Sequence, residues 1–333
     1  MARFGVRLEN DPNLSPQDYQ ELASKAEANG FDVVWVPEGG GRDSLTSLAT
    51  MAMKTERVKL GTGILPIFAR TPTNTAMGAA GMAAVSEGRF ILGLGVGHAP
   101  TVESRDGIPF KQPMTRMRET IQIIKALLAG EEVNFLGKQF KITGASMGPA
   151  TPKSKVPIYI AALGPQMLEM VGELADGVLM NWTAVDYLRE AIGHIKRGAE
   201  KADRNPDEID IAGYVRVAVG GDVSASRDSL RRQVARYASN PFYRNFFAET
   251  GFDKEMSAAA TALADGNLDK AAESITVEMQ EQVAIVGTAD ECRSALEKRR
   301  GAGLHMPVIA PFAVGDNKES HLHVIDALAP KSL

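Results

Sequence analysis

The chain has 333 residues, 44% of them hydrophobic and 23% charged, with 32 glycines and one cysteine. That composition provides for a large apolar core and excludes a disordered polymer, while the lone Cys292 excludes an internal disulfide framework and a cysteine metal cluster. A formal net charge of −4 without long Lys/Arg runs argues against a nucleic-acid partner and leaves a small molecule as the expected ligand.

Met1 leads directly into the strand-like Arg3 to Leu8, and no apolar segment is long enough to span a bilayer. A cytoplasmic location without a membrane partner is therefore expected. Ser15-Pro16-Gln17-Asp18 opens a first helix with an N-cap, a proline in its first turn and an acidic third position, and Gly30 closes it. Asp32 to Val36 reads as the second strand and ends at Pro37-Glu38-Gly39, which puts Glu38 at a strand's C-terminal end. Val58 to Leu65 is the third strand. Thr71-Pro72 caps a helix of small residues running to Ser86 and stopped by Gly88, suited either to close packing on the barrel surface or to a subunit interface.

Phe90 to Gly97 is the fourth strand. Its alternating glycines at 93, 95 and 97 leave one face nearly bare, either for a close approach by a ligand or for bulky neighbours across a barrel interior. The run lacks GxGxxG spacing and an immediate helix, so it is a weak dinucleotide fingerprint. After the helix Pro113 to Ala129, Glu132 to Thr143 alternates around Gly137 and reads as a hairpin inserted at about 130–150.

Pro157 to Asn181 is a complete strand, turn, helix and strand. Gly164 fits an N-cap and Pro165 the first helical position, and nothing larger than glycine blocks the free N–H groups of that first turn. Those donors and the helix dipole suit an anion such as a phosphate, although an ordinary βαβ turn has the same outline. Asp210 to Val219 is the seventh strand. The long helical stretch from Ser224 to Gln282, rich in aromatics near its middle, exceeds a simple crossover and reads as a lid at 224–282. Thr288 and Glu291 form a capping box for a helix stopped by Gly301; Met306 to Phe312 is the eighth strand and Lys318 to Leu328 the last helix.

Eight short apolar strands alternating with helices predict a single (β/α)8 TIM barrel over 1–333, with its site at the C-terminal strand ends. Glu9, Glu38, Gly61 to Leu65, Gly97-His98, Leu163-Gly164, Asn181-Trp182 and Pro311 fall there. No lysine is among them, which disfavours Schiff-base chemistry, and the five histidines supply no HxH on a barrel strand, so no metal site is expected.

WVPEGGGRD after strand two, KLGTGILPIFARTP at strand three, GRFILGLGVGHAP at strand four and YIAALGPQMLEMVGELADGVLMNW at strands five and six together resemble the bacterial luciferase-like superfamily. The resemblance points to its deazaflavin (coenzyme F420) dependent oxidoreductases, the branch that includes methylenetetrahydromethanopterin reductase, and covers essentially the whole chain, least well over 224–282. It implies hydride transfer between C5 of the deazaflavin and a substrate carbon, with the cofactor over a bulge in strand three that holds a non-proline cis peptide, here at Gly63-Ile64. By the same resemblance Thr62, Gly63 and Ile64 support the ring, Gly97 to Thr101 border its side chain, and Leu163, Gly164, Pro165 and Gln166 hold the phosphate, with Ala162 and Asn181 also cofactor-binding. A homodimer is also implied.

Relatives often carry a histidine just after the acidic residue of strand two, where this chain has Gly39. His98 and Glu38 remain as candidate catalytic residues, against a hydrogen-bonded loop role for His98 and an ion pair of Glu38 with Arg42 or Arg70. The glycine face of strand four is expected to leave room for the cofactor's tail, with Lys153, Lys155 and Arg70 meeting its carboxylates. Two other functions compete: an FMN-dependent luciferase-like monooxygenase using oxygen, and a cofactor-binding protein without catalysis, the latter supported only by the missing histidine.

Overall fold

The computed structural model describes residues 3–39, 41–312 and 317–330. Its centre is a closed parallel barrel of strands β1 (Gly5–Arg7), β2 (Val33–Val36), β3 (Lys59–Thr62), β4 (Phe90–Gly95), β5 (Ile158–Ile160), β6 (Gly177–Met180), β7 (Asp210–Val219) and β8 (Met306–Pro311). Sequential strands are neighbours, and β8 returns to β1 with Val308 opposite Gly5, closing the ring. Helices α1 (Pro16–Asn29), α2 (Ser44–Ala52), α3 (Pro72–Val85), α4 (Pro113–Leu128), α5 (Pro165–Leu174), α6 (Leu188–Lys201), α7 (Ala289–Gly301) and α8 (Asn317–Ala327) follow the strands in turn. The architecture is thus the (β/α)8 TIM barrel expected from the alternation.

Two apolar layers hold it together. Val33, Trp35, Ile91, Tyr159, Leu179, Ala212, Tyr214, Met306, Val308 and Ala310 fill the barrel interior, and the opposite faces of the strands pack on the helices in a larger shell. Because strand side chains alternate, each strand serves both layers, which is why most barrel strands read as continuous apolar runs. Local signals set the helix ends: Ser15 with Asp18, and Thr288 with Glu291, form reciprocal capping boxes. Helix α7 runs through Gly301 to a cap at Ala302; the chain reverses instead at Gly303, with φ of +111°.

The sequence pattern missed one strand. Ala284–Gly287 pairs with the second half of β7, while the first half of β7 pairs with β6. Its four residues follow a helix, Val277–Val283, with no intervening turn residue, so the change of period is too short to read. Between β7 and this strand lie helices Val223–Arg236, Pro241–Phe247, Asp253–Ala264 and Leu268–Glu273. A separate antiparallel hairpin joins Val133–Leu136 to Lys141–Ala145. No helix among the described residues is long and apolar enough to cross a membrane.

The N-terminal end of the barrel is closed by polar contacts. Arg3 donates to Asp210 at 3.1 Å and the Tyr159 hydroxyl donates to the same carboxylate at 2.6 Å. Lys153 and Lys155 precede β5 at this end, and Lys155 pairs there with Asp176, just ahead of β6. They are therefore remote from the C-terminal mouth, and the expectation that they meet a cofactor tail is incorrect.

Candidate functional site

The mouth of the barrel is built around a break between β3 and the two-residue strand Leu65–Pro66, which pairs with the end of β4. The Gly63-Ile64 peptide between them is cis. The break is held on every side: the Thr62 hydroxyl donates to the Gly93 carbonyl at 2.9 Å and accepts from the Gly93 N–H at 2.8 Å. Tyr214 donates to the Gly63 carbonyl at 2.8 Å, the Gly63 N–H to Val36 at 2.8 Å and the Glu38 N–H to the Ile64 carbonyl at 3.2 Å. Thr62 and Gly63 are thus sealed, and the half-buried Ile64 is the part of the bulge presented to the mouth.

The bare face of β4 serves this bulge. A Cβ on Gly93 would lie 1.9 Å from the Thr62 carbonyl oxygen, and one on Gly95 2.5 Å from the Ile64 side chain and 3.4 Å from Ala161. The space read as room for a cofactor tail is occupied by the Thr62 backbone at Gly93 and by the Ile64 side chain at Gly95, so that expectation fails at both. Gly97 instead turns the chain, with φ of +73°. The turn leads to the short helix Ala99–Ser104, on which Thr101 is exposed.

At the end of β5, Gly164 is the N-cap of α5 in extended conformation, with no side chain capping the helix. A Cβ there would meet nothing within 4 Å. Gln166 and Met167 have no backbone acceptor among the described residues, whereas Leu168 already donates to Gly164. Pro165 and Gln166 are exposed, Ala162 and Leu163 buried, and the Leu163 carbonyl is fixed by the Tyr187 hydroxyl at 2.7 Å. The result is an open pair of N–H donors at the positive end of a helix.

The two candidate catalytic residues differ. Glu38 accepts from the Ser44 N–H at 2.8 Å and the Ser44 hydroxyl at 2.7 Å, and its other oxygen pairs with Arg70 at 3.0 Å. Arg70 also bonds Asp43, while Arg42 has no part in the pair. Glu38 thus joins the end of β2 to α2. His98 is exposed at the mouth, beside Tyr243 with ring centroids 5.5 Å apart. Asn240 turns its Oδ1 to the Phe242 N–H at 3.0 Å, which leaves its Nδ2 facing His98 Nδ1 at 2.9 Å. His98 Nδ1 therefore accepts, and the proton of the neutral ring sits on Nε2. Partial desolvation of the ring lowers its pKa below the ordinary histidine value.

Several further polar residues meet at the mouth. Arg7, inward-facing at the end of β1, grips Glu9 with both guanidinium nitrogens, one bond being 2.9 Å. Burial alone would raise the Glu9 pKa, but Arg7 outweighs it and holds the carboxyl below the usual range. Arg216 on β7 donates to the Asn181 Oδ1 and lies 4.0 Å over the Trp182 ring. Asn181 in turn donates to the Tyr243 hydroxyl at 2.7 Å, tying the end of β6 to the helical excursion, and Tyr237 packs between Trp182 and Tyr243. Trp182 carries φ of +56°, a strained setting for an aromatic residue. Arg7 and Arg216 stand out in the sequence as charges inside largely apolar strands, although neither is the last residue of the runs Arg3 to Leu8 and Asp210 to Val219.

Behind the mouth, His321 of α8 is fully buried, donating from Nδ1 to the Asn317 carbonyl at 2.7 Å and accepting from the Glu9 N–H at 3.3 Å. Desolvation lowers its pKa. The unfolded chain therefore binds the proton first, so this contribution is complete above the ordinary histidine pKa and is lost as pH falls toward the folded one. We expect Tm to fall between about pH 7 and pH 5 and the His321→Gln variant to show a flatter profile; an unchanged slope in thermal unfolding refutes the assignment.

Residues 1–306 match the family model described as luciferase-like monooxygenase. The chain is 34% identical over 327 residues to a 5,10-methylenetetrahydromethanopterin reductase of Methanolobus tindarius, covering 97% of this chain and 98% of that one. It is 31% identical over 328 residues to the protein of the same name from Archaeoglobus fulgidus, covering 97% of each. The solved coenzyme F420 dependent tetrahydromethanopterin reductase of Methanopyrus kandleri matches over 99% of both chains, with a TM-score of 0.85 and 28% identity. The chain therefore belongs to the luciferase-like monooxygenase family, in its branch of F420-dependent oxidoreductases.

Proposed function

We propose that the protein transfers a hydride between coenzyme F420 and a small organic substrate at the barrel mouth. The observation that carries the reading is the uncapped helix start at Gly164, whose free Gln166 and Met167 donors sit two strands from the bulge in β3. F420, when bound, supplies the hydride chemistry at its C5 carbon. The residues fit such a group: the N–H donors and the α5 dipole would take its phosphate, Ile64 on the rigid Thr62-Gly63 support would lie against its ring, and Gly97 and Thr101 would border the remainder. Fluorescence titration of purified protein with F420 and with FMN at matched salt is expected to give the tighter binding for F420. Tight FMN binding with no F420 binding sinks this reading in favour of the flavin monooxygenase.

His98 is assigned the substrate-facing role, donating from Nε2 while Asn240 holds the ring. Glu38, its carboxylate occupied by Ser44 and Arg70, organises the support beneath. His98→Ala is expected to lower turnover by roughly 10²-fold while F420 affinity stays within a few-fold. A loss of turnover no larger than the loss of affinity in steady-state kinetics removes His98 from the reaction.

A further inference from the structure

Arg216 is 7% exposed and faces the barrel interior, on the same side of β7 as Ala212 and Tyr214. A guanidinium offers five donors. One goes to Asn181, and among the described residues no carboxylate lies within ion-pair distance. The neighbouring Arg7 is matched by Glu9, which acts on Arg216 only at longer range, so among the described residues Arg216 has no ion-pair partner of its own. Leaving a buried cation unmatched is costly, and burial accordingly lowers the Arg216 pKa.

The group is nevertheless held in one orientation. Trp182 supports its face, and Asn181 fixes one edge because its own amide is committed to Tyr243. The remaining nitrogens of Arg216 have no hydrogen-bond partner among the described residues and are not fully enclosed. A planar fork, fixed and open on one side in a desolvated site, matches a carboxylate in charge and shape.

We propose that Arg216 is the anchor for a carboxylate of the substrate, which makes the substrate an organic acid. This rests on the F420-dependent reading only for the reaction that follows, since the anchor belongs to the chain itself. The Asn181–Trp182 corner then positions the guanidinium, and Tyr243 links that corner to the helical excursion.

The test titrates wild-type, Arg216→Met and Arg216→Lys proteins, each with and without F420, with acetate, benzoate and hexanoate and with the matching uncharged amides, reading Tm and cofactor fluorescence. The carboxylates are expected to raise the wild-type Tm and the amides to leave it unchanged. Arg216→Met should weaken the carboxylate response by about tenfold or more, and Arg216→Lys less, because the charge remains without the fork. Tm of Arg216→Met should equal or exceed that of wild type, since a buried unmatched charge has been removed; a residue serving only the fold would give the reverse.

F420 affinity should stay within about threefold in both variants. Equal responses to acids and amides, no response to any carboxylate, or a retained response in Arg216→Met each overturns the proposal. A parallel loss of F420 affinity also overturns it, assigning the guanidinium to the cofactor. If wild type fails to bind F420, the function proposed above fails, and the titrations without cofactor still decide the anchor.

Discussion

Gly164→Asp is expected to abolish F420 binding while leaving Tm at or slightly above the wild-type value. The position has room, since a Cβ there meets nothing within 4 Å, and its φ of −78° suits any residue. Aspartate is a better N-cap than glycine by a few tenths of a kcal/mol and gains about 0.3–1 kcal/mol from the dipole. Its carboxylate would satisfy the donors of Gln166 or Met167, the groups assigned to the phosphate. A second anion within about 4 Å of the first costs on the order of 4 kcal/mol at the effective dielectric near a protein surface, or roughly a thousandfold in affinity. Gly164→Ala, which adds bulk without charge, should retain most of the binding. Fluorescence titration beside thermal unfolding separates the two effects, and unchanged affinity in Gly164→Asp places the phosphate elsewhere.

Gly93→Ala is expected to have the largest effect on stability, at least about 3 kcal/mol, and to leave little folded protein. The added methyl would lie 1.9 Å from the Thr62 carbonyl oxygen, a backbone atom pinned by the paired Thr62–Gly93 bonds. Gly63→Ala makes an instructive contrast. Its methyl would lie 1.8 Å from the Tyr214 hydroxyl but 3.2 Å from the ring carbon behind it. Tyr214→Phe removes the obstructing oxygen at the cost of one hydrogen bond, so the Gly63→Ala/Tyr214→Phe double variant should be more stable than the sum of the single losses predicts. Denaturant unfolding measures that coupling. Additive losses, or a well-folded Gly93→Ala, would contradict the tight packing of bulge against strand.

The barrel was legible because its signals are local: apolar runs, capping boxes at Ser15 and Thr288, and glycine or proline at the element ends. The open helix start was legible for the same reason, since Gly164-Pro165 announces both the absence of a side-chain cap and a first turn with donors to spare. The functions of the β4 glycines were not. Nothing adjacent to Gly93 indicates that the approaching atom is the Thr62 carbonyl 31 residues away in the chain. Glu38 marked the correct strand end, but its commitment to Ser44 and Arg70 depends on how α2 is seated. Asn240 and Tyr243 were hidden for a related reason, because helical phasing identifies the excursion without specifying which of its side chains turn toward His98 and Asn181.

Strand β7 has ten residues, and the excursion that follows it leaves and rejoins the barrel at almost one point: the Gly220 N–H donates to the Gly287 carbonyl at 2.7 Å. A segment whose ends are clamped in this way behaves as a cassette. Closing a longer or shorter loop between fixed ends changes the entropy only slowly with length, and neither strand order nor the bulge depends on what lies between. Residues 221–283, ahead of the strand Ala284–Gly287 that pairs with β7, can thus diverge, be trimmed or be exchanged between paralogues while the platform beneath stays constant. Selection on the cassette would change which molecules fit over His98 and Arg216, allowing one barrel to acquire new substrates without rebuilding its chemistry.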